Sequence, residues 1–416
     1  MSLWQPWSLR ELVEELATGR TTAAAALERS RARIRETEPE VRAWVVQDPA
    51  PDVASATGPL GGVPLGVKDI IDVAGFPTRC GSQLRADAAA AGADAAIVNA
   101  WRAAGAVPAG KTVTTEFAYF SPGPTTNPAV PGHTPGGSSS GSAAAVAAGQ
   151  VPLAVGSQTA GSVTRPASYC AVASLVMSHG RYPVDGVVGL SPNLDSHGYY
   201  AAGVSDLAVA WSALTATPSA ALEKARPGRV LLWTAEPIGV VDDDMGEAVE
   251  TVRKRLTEAG AVVDDFPEEQ LVAEVTAAQP VVMAYEAARE RAEELSAAGR
   301  LSEPLAQLLR TGAATADGDY ATARRTIAAA SARITDLLMS YDAIVGPAAP
   351  GAAPAGLSAT GDPALSRAWQ ALGLPVVTVP GLRNAAGLPL GIQAVGRWRG
   401  EDALLATGGW IESALS

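Results

Sequence analysis

Two serine-bearing segments and one lysine are the residues of this 416-residue chain best suited to chemistry. Residues 136–142 read GGSSSGS, residues 159–162 read TAGS, and Lys68 lies in the apolar run GVPLGVKDII. A serine hydroxyl attacks a carbonyl only when a base takes its proton, and histidine, the usual base, is scarce: His133, His179 and His197 are the only three. A lysine can serve when it is neutral, and burial of Lys68 among apolar neighbours disfavours the ammonium and lowers its pKa. The Gly-Ser run does not read as a linker. Linkers have polar, unpatterned flanks, whereas this run leads straight into SAAAVAAG and VPLAVGSQTAGS, an alanine-rich helix followed by an apolar strand. Small residues at such a junction let backbones approach closely, and a helix start leaves N–H groups unpaired, which suits an anionic intermediate.

The elements around these residues follow from periodicity. Ser8 and Glu11 have capping-box spacing, and Leu9, Leu12, Val13 and Leu16 repeat at helical intervals. TTAAAALERSRARIRE makes a second helix, and AWVVQD reads as a strand. From GVPLGVKDIIDVAG onward strand-like runs alternate with alanine-rich helical ones: AAIVNAWRAAG, AVPAGKTV, SAAAVAAG, VPLAVGS, VSDLAVAWSAL, RVLLWTA, AVETVRKRLTEAG and AVVDDF. Residues 268–340 are almost wholly helical by pattern, and strands return at DAIVGP, PVVTVPG and PLGIQAVG. Alternation of this kind predicts an α/β fold with helices on both faces of a sheet. No repeat or low-complexity linker divides the chain, which predicts one intertwined domain.

Composition narrows the function classes. A formal charge of -12 and a pI near 4.9 argue against nucleic acid or an anionic membrane as partner. Cys80 and Cys170 are the only cysteines, so no disulfide framework is expected and a reducing compartment is the simpler assumption. The first residues, MSLWQPWSLRELVEEL, lack a secretory apolar segment, and SAAAVAAGQVPLAVG falls short of the roughly 20 residues of a bilayer span. A cytoplasmic protein is expected, with a homodimer open as the commonest assembly. No H-E-x-x-H or C-x-x-C spacing is present, and no metal or other cofactor is predicted.

The stretch TPGGSSSGSAAAVAAGQVPLAVGSQTAGSVTRPASYC resembles the amidase signature family, with its GGSS-G-S block, helix, strand and second Gly-Ser before an arginine and proline. The likeness extends upstream to GVPLGVKDIIDVAGFPT, GKTVTTEFA and TTNPAVPGHTPGG. Downstream, YDAIVGPAAP, TGDPALSRAW, GLPVVTVPG and GLPLGIQAVG look like its C-terminal strands. The resemblance implies an α/β/α sandwich around a large mixed, twisted sheet in one domain over 1–416. Within it, 1–60 would be N-terminal helices and lead-in, 61–205 the catalytic core, 206–335 a variable, mainly helical substrate region, and 336–416 C-terminal strands and helix.

Carried over by position, the resemblance implies a triad of Lys68, Ser138 and Ser162, the two serines 24 residues apart as in the family. Ser162 would be the nucleophile, and Ser138 a bridging serine after a cis Gly137–Ser138 peptide. The backbone N–H groups of Thr159, Ala160, Gly161 and Ser162 would hold the oxyanion. Gly136, Gly137, Ser139 and Arg165 would support the site, Arg165 through charge-assisted hydrogen bonds to backbone or carboxylate. Ser140 and Ser142 read as supporting hydrogen bonders, His133 as a loop residue, and Cys170 as a buried, inert thiol. Met283, Tyr285 and Trp369 suit core and pocket equally.

Some positions depart from the family pattern. Gln158 stands where aspartate is common, and Ser140 where many relatives have glycine. Ser174, Val176 and Met177 replace the glycine, lysine and proline of a Gly-Leu-Lys-Pro-Thr segment, which marks the local loop, and with it the substrate mouth or a partner contact, as altered. The expected activity is hydrolysis of a linear carboxamide, a small molecule, with the acyl pocket built largely from the variable helical region. The alternatives are an acyltransferase using the same acyl-enzyme, the A-type component of a tRNA-dependent amidotransferase, and a non-catalytic relative.

Overall fold

The computed structural model describes residues 2–53, 56–218, 222 and 228–416. Among them eleven strands form one mixed sheet: β1 (Trp44–Gln47), β2 (Pro64–Lys68), β3 (Val107–Thr112), β4 (Leu153–Gln158), β5 (Ala173–Val176), β6 (Ser196–Ala201), β7 (Arg229–Leu232), β8 (Val262–Asp265), β9 (Ala343–Pro347), β10 (Val376–Arg383) and β11 (Pro389–Val395). Their order is β1-β3-β2-β4-β6-β5-β10-β11-β9-β7-β8. The trio β3, β2 and β4 is parallel at one side and β9, β7 and β8 at the other, with an antiparallel centre between them.

Alternation along the central strands shows what covers each face. Side chains of paired residues share a face, and neighbours along a strand point oppositely. Tyr199, Leu175 and Val377 are in register on one face, where Tyr199 Oη donates to the Leu207 carbonyl of helix Val204–Thr215 at 2.9 Å. On that side Gly408 of helix Glu401–Leu415 lies against Val377 and Val204. Tyr200, Ser174 and Thr378 are in register on the opposite face, where Gly391 lies against Ser168 of helix Thr164–Cys170. The α/β layering with helices on both faces is therefore the observed architecture.

Local signals explain the first helices. Ser8 Oγ accepts from the Glu11 N–H at 3.2 Å to start Leu9–Ala17, and Thr22 does the same for Ala25 to start Ala23–Val41. Residues 268–340 hold Glu269–Glu290, Ala292–Ser296, Glu303–Ala314 and Asp317–Leu338. Residues 219–221 and 223–227 of the 206–335 stretch lie outside the described residues.

Two readings change, and two strands appear that the sequence reading does not mark. TGDPALSRAW is not a strand but helix Ala364–Ala371, entered through Asp362 Oδ1 accepting from the Ala364 N–H at 2.9 Å, with Leu365, Ala368 and Trp369 buried at helical spacing. β5 and β6, at the centre of the sheet, carry no alternating pattern because every residue of both is buried. The altered segment Ser174–Met177 is thus no surface loop. Ser174 donates to Thr378 Oγ1 at 3.0 Å within the sheet, and Val176 and Met177 are fully buried.

Candidate active site

Parallel pairing of β2 with β4 brings Lys68, the last residue of β2, beside Ser157 near the end of β4. Carboxyl ends of parallel strands are where α/β sheets build their sites. Lys68 is fully buried, and its Nζ donates to Ser138 Oγ at 2.7 Å, Ser157 Oγ at 2.9 Å and the Ser157 carbonyl at 3.3 Å. Burial pushes its ammonium down from 10.5 to about 7, with the nearby Asp195 carboxylate opposing the fall. Asp195 is itself pushed up by burial, while Thr159 Oγ1 and the N–H groups of Leu190 and Ser191 donate to it.

The Gly-Ser run packs against the ends of these strands. Gly136 has φ of 81°, and the Gly137–Ser138 peptide is cis. Ser139 donates its N–H to the Ser162 carbonyl at 3.2 Å and its hydroxyl to the Ser157 carbonyl at 3.2 Å, so it ties the two serine segments together. Ser142 Oγ donates to the Val155 carbonyl and Ser140 Oγ to that of Val113. Gly141 is pressed between the Ala43 carbonyl and the Val113 amide, leaving no room for a Cβ.

TAGS forms the turn between β4 and helix Thr164–Cys170. The N–H groups of Ala160, Gly161 and Ser162 have no hydrogen-bond partner among the described residues. The next two, of Val163 and Thr164, donate to Gln158 Oε1 at 2.8 and 3.1 Å, so a neutral side-chain amide caps the start of the helix. Arg165, buried, spans the turn: Nε donates to the Thr360 carbonyl at 2.6 Å and Nη2 to the Gly137 carbonyl at 2.7 Å. Both partners are backbone, not carboxylate. A Cβ on Gly161 would lie 2.9 Å from Arg165 Nη1 and 3.0 Å from Pro363 Cβ.

A small cavity opens over this turn. Ser138, Thr159, Ala160, Gly161, Ser162 and Arg165 form its floor, and Tyr119, Phe120, Leu190, Met283 and Pro363 its apolar wall. The wall segment is strained, since Phe117, Ala118 and Phe120 have φ of 45°, 61° and 34°. Ser138 and Ser162 hydroxyls border one space without a hydrogen bond between them among the described residues. Among the described residues that border this cavity, only Met283 comes from the 206–335 stretch. Tyr285 stacks on Tyr320 and Trp369 is core against Trp233.

The three histidines lie off this cavity: His133 and His179 face the carbonyls of Pro131 and Pro192, and His197 that of Pro183. Burial raises the Cys80 thiol to about 12 and that of Cys170 further. Among the described residues no group of three or more His, Cys, Asp or Glu is placed to hold a metal, and no helix is long and apolar enough to cross a membrane.

The Amidase family pattern matches residues 23–405. The chain belongs to the Amidase family. It is 29% identical to the A component of the glutamyl-tRNA(Gln) amidotransferase of Lachnospira eligens, with 97% of each chain covered. A solved amidase structure superposes with a TM-score of 0.88 at 27% identity, over 99% of this chain and 100% of that one. So does the inhibitor-bound chain of a vestigial protein complex linked to the evolutionary origins of an s-triazine catabolic enzyme, with a TM-score of 0.88, 27% identity and 98% of each chain covered. This member of the Amidase family is an amide-cleaving hydrolase.

Proposed function

We propose that the enzyme hydrolyses a small linear carboxamide through an acyl-enzyme on Ser162, with Ser138 and a neutral Lys68 as the proton relay. The observation that carries this reading is the buried Lys68 Nζ, held 2.7 Å from Ser138 Oγ and poised near pH 7, beneath the cavity that Ser162 borders. A base works best when its pKa lies near the operating pH.

Neutral Lys68 takes a proton from Ser138 as Ser138 takes one from Ser162, whose Oγ bonds to the carbonyl carbon. Rotation about the Ser162 Cα–Cβ bond closes the link between the two hydroxyls. The oxygen turns anionic against the unpaired N–H groups of Ala160, Gly161 and Ser162, beside Thr159. Collapse breaks the C–N bond, Ser138 returns a proton to the departing ammonia or amine, and water then enters by the same relay to release the acid. Arg165, Ser139, Gly136 and Gly137 hold the turn in this geometry.

Ser162→Ala tests the assignment: covalent labelling by an alkyl fluorophosphonate and amide turnover both vanish. Labelling of the variant at the wild-type rate overturns it. The likeness to the glutamyl-tRNA(Gln) amidotransferase component favours a second reading, in which the released ammonia passes to a partner protein. Ammonia release by the isolated chain from simple amides separates the two, and hydroxamate formed with added hydroxylamine reports acyl transfer.

A further inference from the structure

We infer that Gln279 is a positioning residue that aims the first oxyanion donor into the cavity, acting from behind the turn. The inference rests on the Ser162 acyl-enzyme reading.

Gln279 lies on helix Glu269–Glu290, 120 residues from the TAGS turn, and is fully buried. Its Nε2 donates to the Thr159 carbonyl at 2.9 Å. In a planar trans peptide the carbonyl and the following N–H point in opposite directions. A donor that fixes the Thr159 carbonyl on one side therefore fixes the Ala160 N–H on the other. That N–H has no partner among the described residues, and Ala160 lines the cavity whereas Gln279 does not.

Thr159 is also held by its side chain, which donates to Asp195 Oδ1 at 2.6 Å. The side-chain bond fixes the residue and leaves its following peptide plane free to rotate; the Gln279 bond fixes the plane. An oxyanion donor contributes fully only when it is aligned before charge develops. Gln279 Oε1 has no partner among the described residues, so the side chain is kept there by donation. Gln279 Nε2 also faces Met283 Sδ at 3.8 Å, and Met283 is a wall residue of the cavity. The acyl wall and the oxyanion turn are thereby fastened to one helix.

Gln279→Met keeps the size of the side chain and deletes the donor. The test is the second-order rate at which an alkyl fluorophosphonate labels Ser162, since its phosphoryl oxygen occupies the oxyanion position, together with kcat and KM for amide hydrolysis. Removing a whole oxyanion donor costs roughly 100- to 1,000-fold in kcat, and misaiming one is expected to cost about 10- to 100-fold in labelling and kcat with KM unchanged. Labelling within about two-fold of wild type, or a loss confined to KM, overturns the inference. Should Gln279→Met fail to fold, Gln279→Leu, which is smaller and likewise has no donor, carries the same comparison. Wild-type protein that is not labelled at Ser162 would instead overturn the acyl-enzyme reading.

Discussion

Replacing Lys68 by methionine turns the buried amine into a stability measurement. Folding moves the Lys68 pKa from its ordinary 10.5 to about 7, because the ammonium loses its water. Between these values the unfolded chain binds a proton at this site that the folded chain does not, so stability rises with pH across pH 7 to 10.5. At about 1.36 kcal/mol per pH unit the full span is roughly 5 kcal/mol, and pH 7 to 9 alone carries roughly 3 kcal/mol. Methionine has no proton to exchange, so the variant lacks this slope. Guanidinium unfolding of both proteins across that range, taken as a difference, cancels every other titrating group. Wild type should gain on Lys68→Met by about 1.4 kcal/mol per pH unit above pH 7. A difference that stays flat would mean that the lysine titrates in the folded protein as it does in water. In that case no neutral base lies beneath the serines. The same pKa predicts that kcat/KM climbs with pH through about 7 in wild type.

Other perturbations read separate parts of the structure. Ser138→Ala removes the acceptor 2.7 Å from Lys68 Nζ and should lower kcat by about 100- to 10,000-fold in steady-state assays, with the fold retained by circular dichroism. Lys111→Met strands Asp69, its partner at 3.0 Å with both side chains fully buried, at a cost of about 3–5 kcal/mol in denaturant titration. Because burial already raises the Asp69 pKa, that deficit should shrink as acid protonates the carboxyl. Both thiols are buried and pushed upward, so a disulfide exchange reagent should find no fast-reacting cysteine in the native protein and two after unfolding.

Much of the fold is legible wherever local pattern and tertiary environment agree. Ser8 and Thr22 cap their helices as their spacing implies, and edge-ward strands such as β1 and β8 are bounded by turn residues. β5 and β6 are hidden because burial on both faces erases alternation, and SHGYYA places a histidine and a glycine where a strand pattern expects apolar residues. Helix Thr164–Cys170 is hidden by Pro166, which the first turn tolerates because its missing N–H has no helical partner to lose.

The site divides the same way. Lys68 is marked by its apolar neighbours, and the serines by small-residue context. Asp195, Thr360 and Gln279 carry no such mark, because their partners Thr159, Arg165 and Thr159 are 36, 195 and 120 residues away and leave no local trace. The apolar wall escapes sequence reading for a related reason. Tyr119 and Phe120 enter the cavity through a backbone kink at Phe117, Ala118 and Phe120 that no propensity scale anticipates.

The acyl-enzyme itself is the most direct test. An activated ester such as p-nitrophenyl acetate, mixed with the enzyme and quenched in acid during turnover, should leave one acetyl group, which tandem mass spectrometry places on Ser162 and not on Ser138. Hydrolysis that proceeds with no acyl adduct, or with the acyl group on any other residue, would contradict the account.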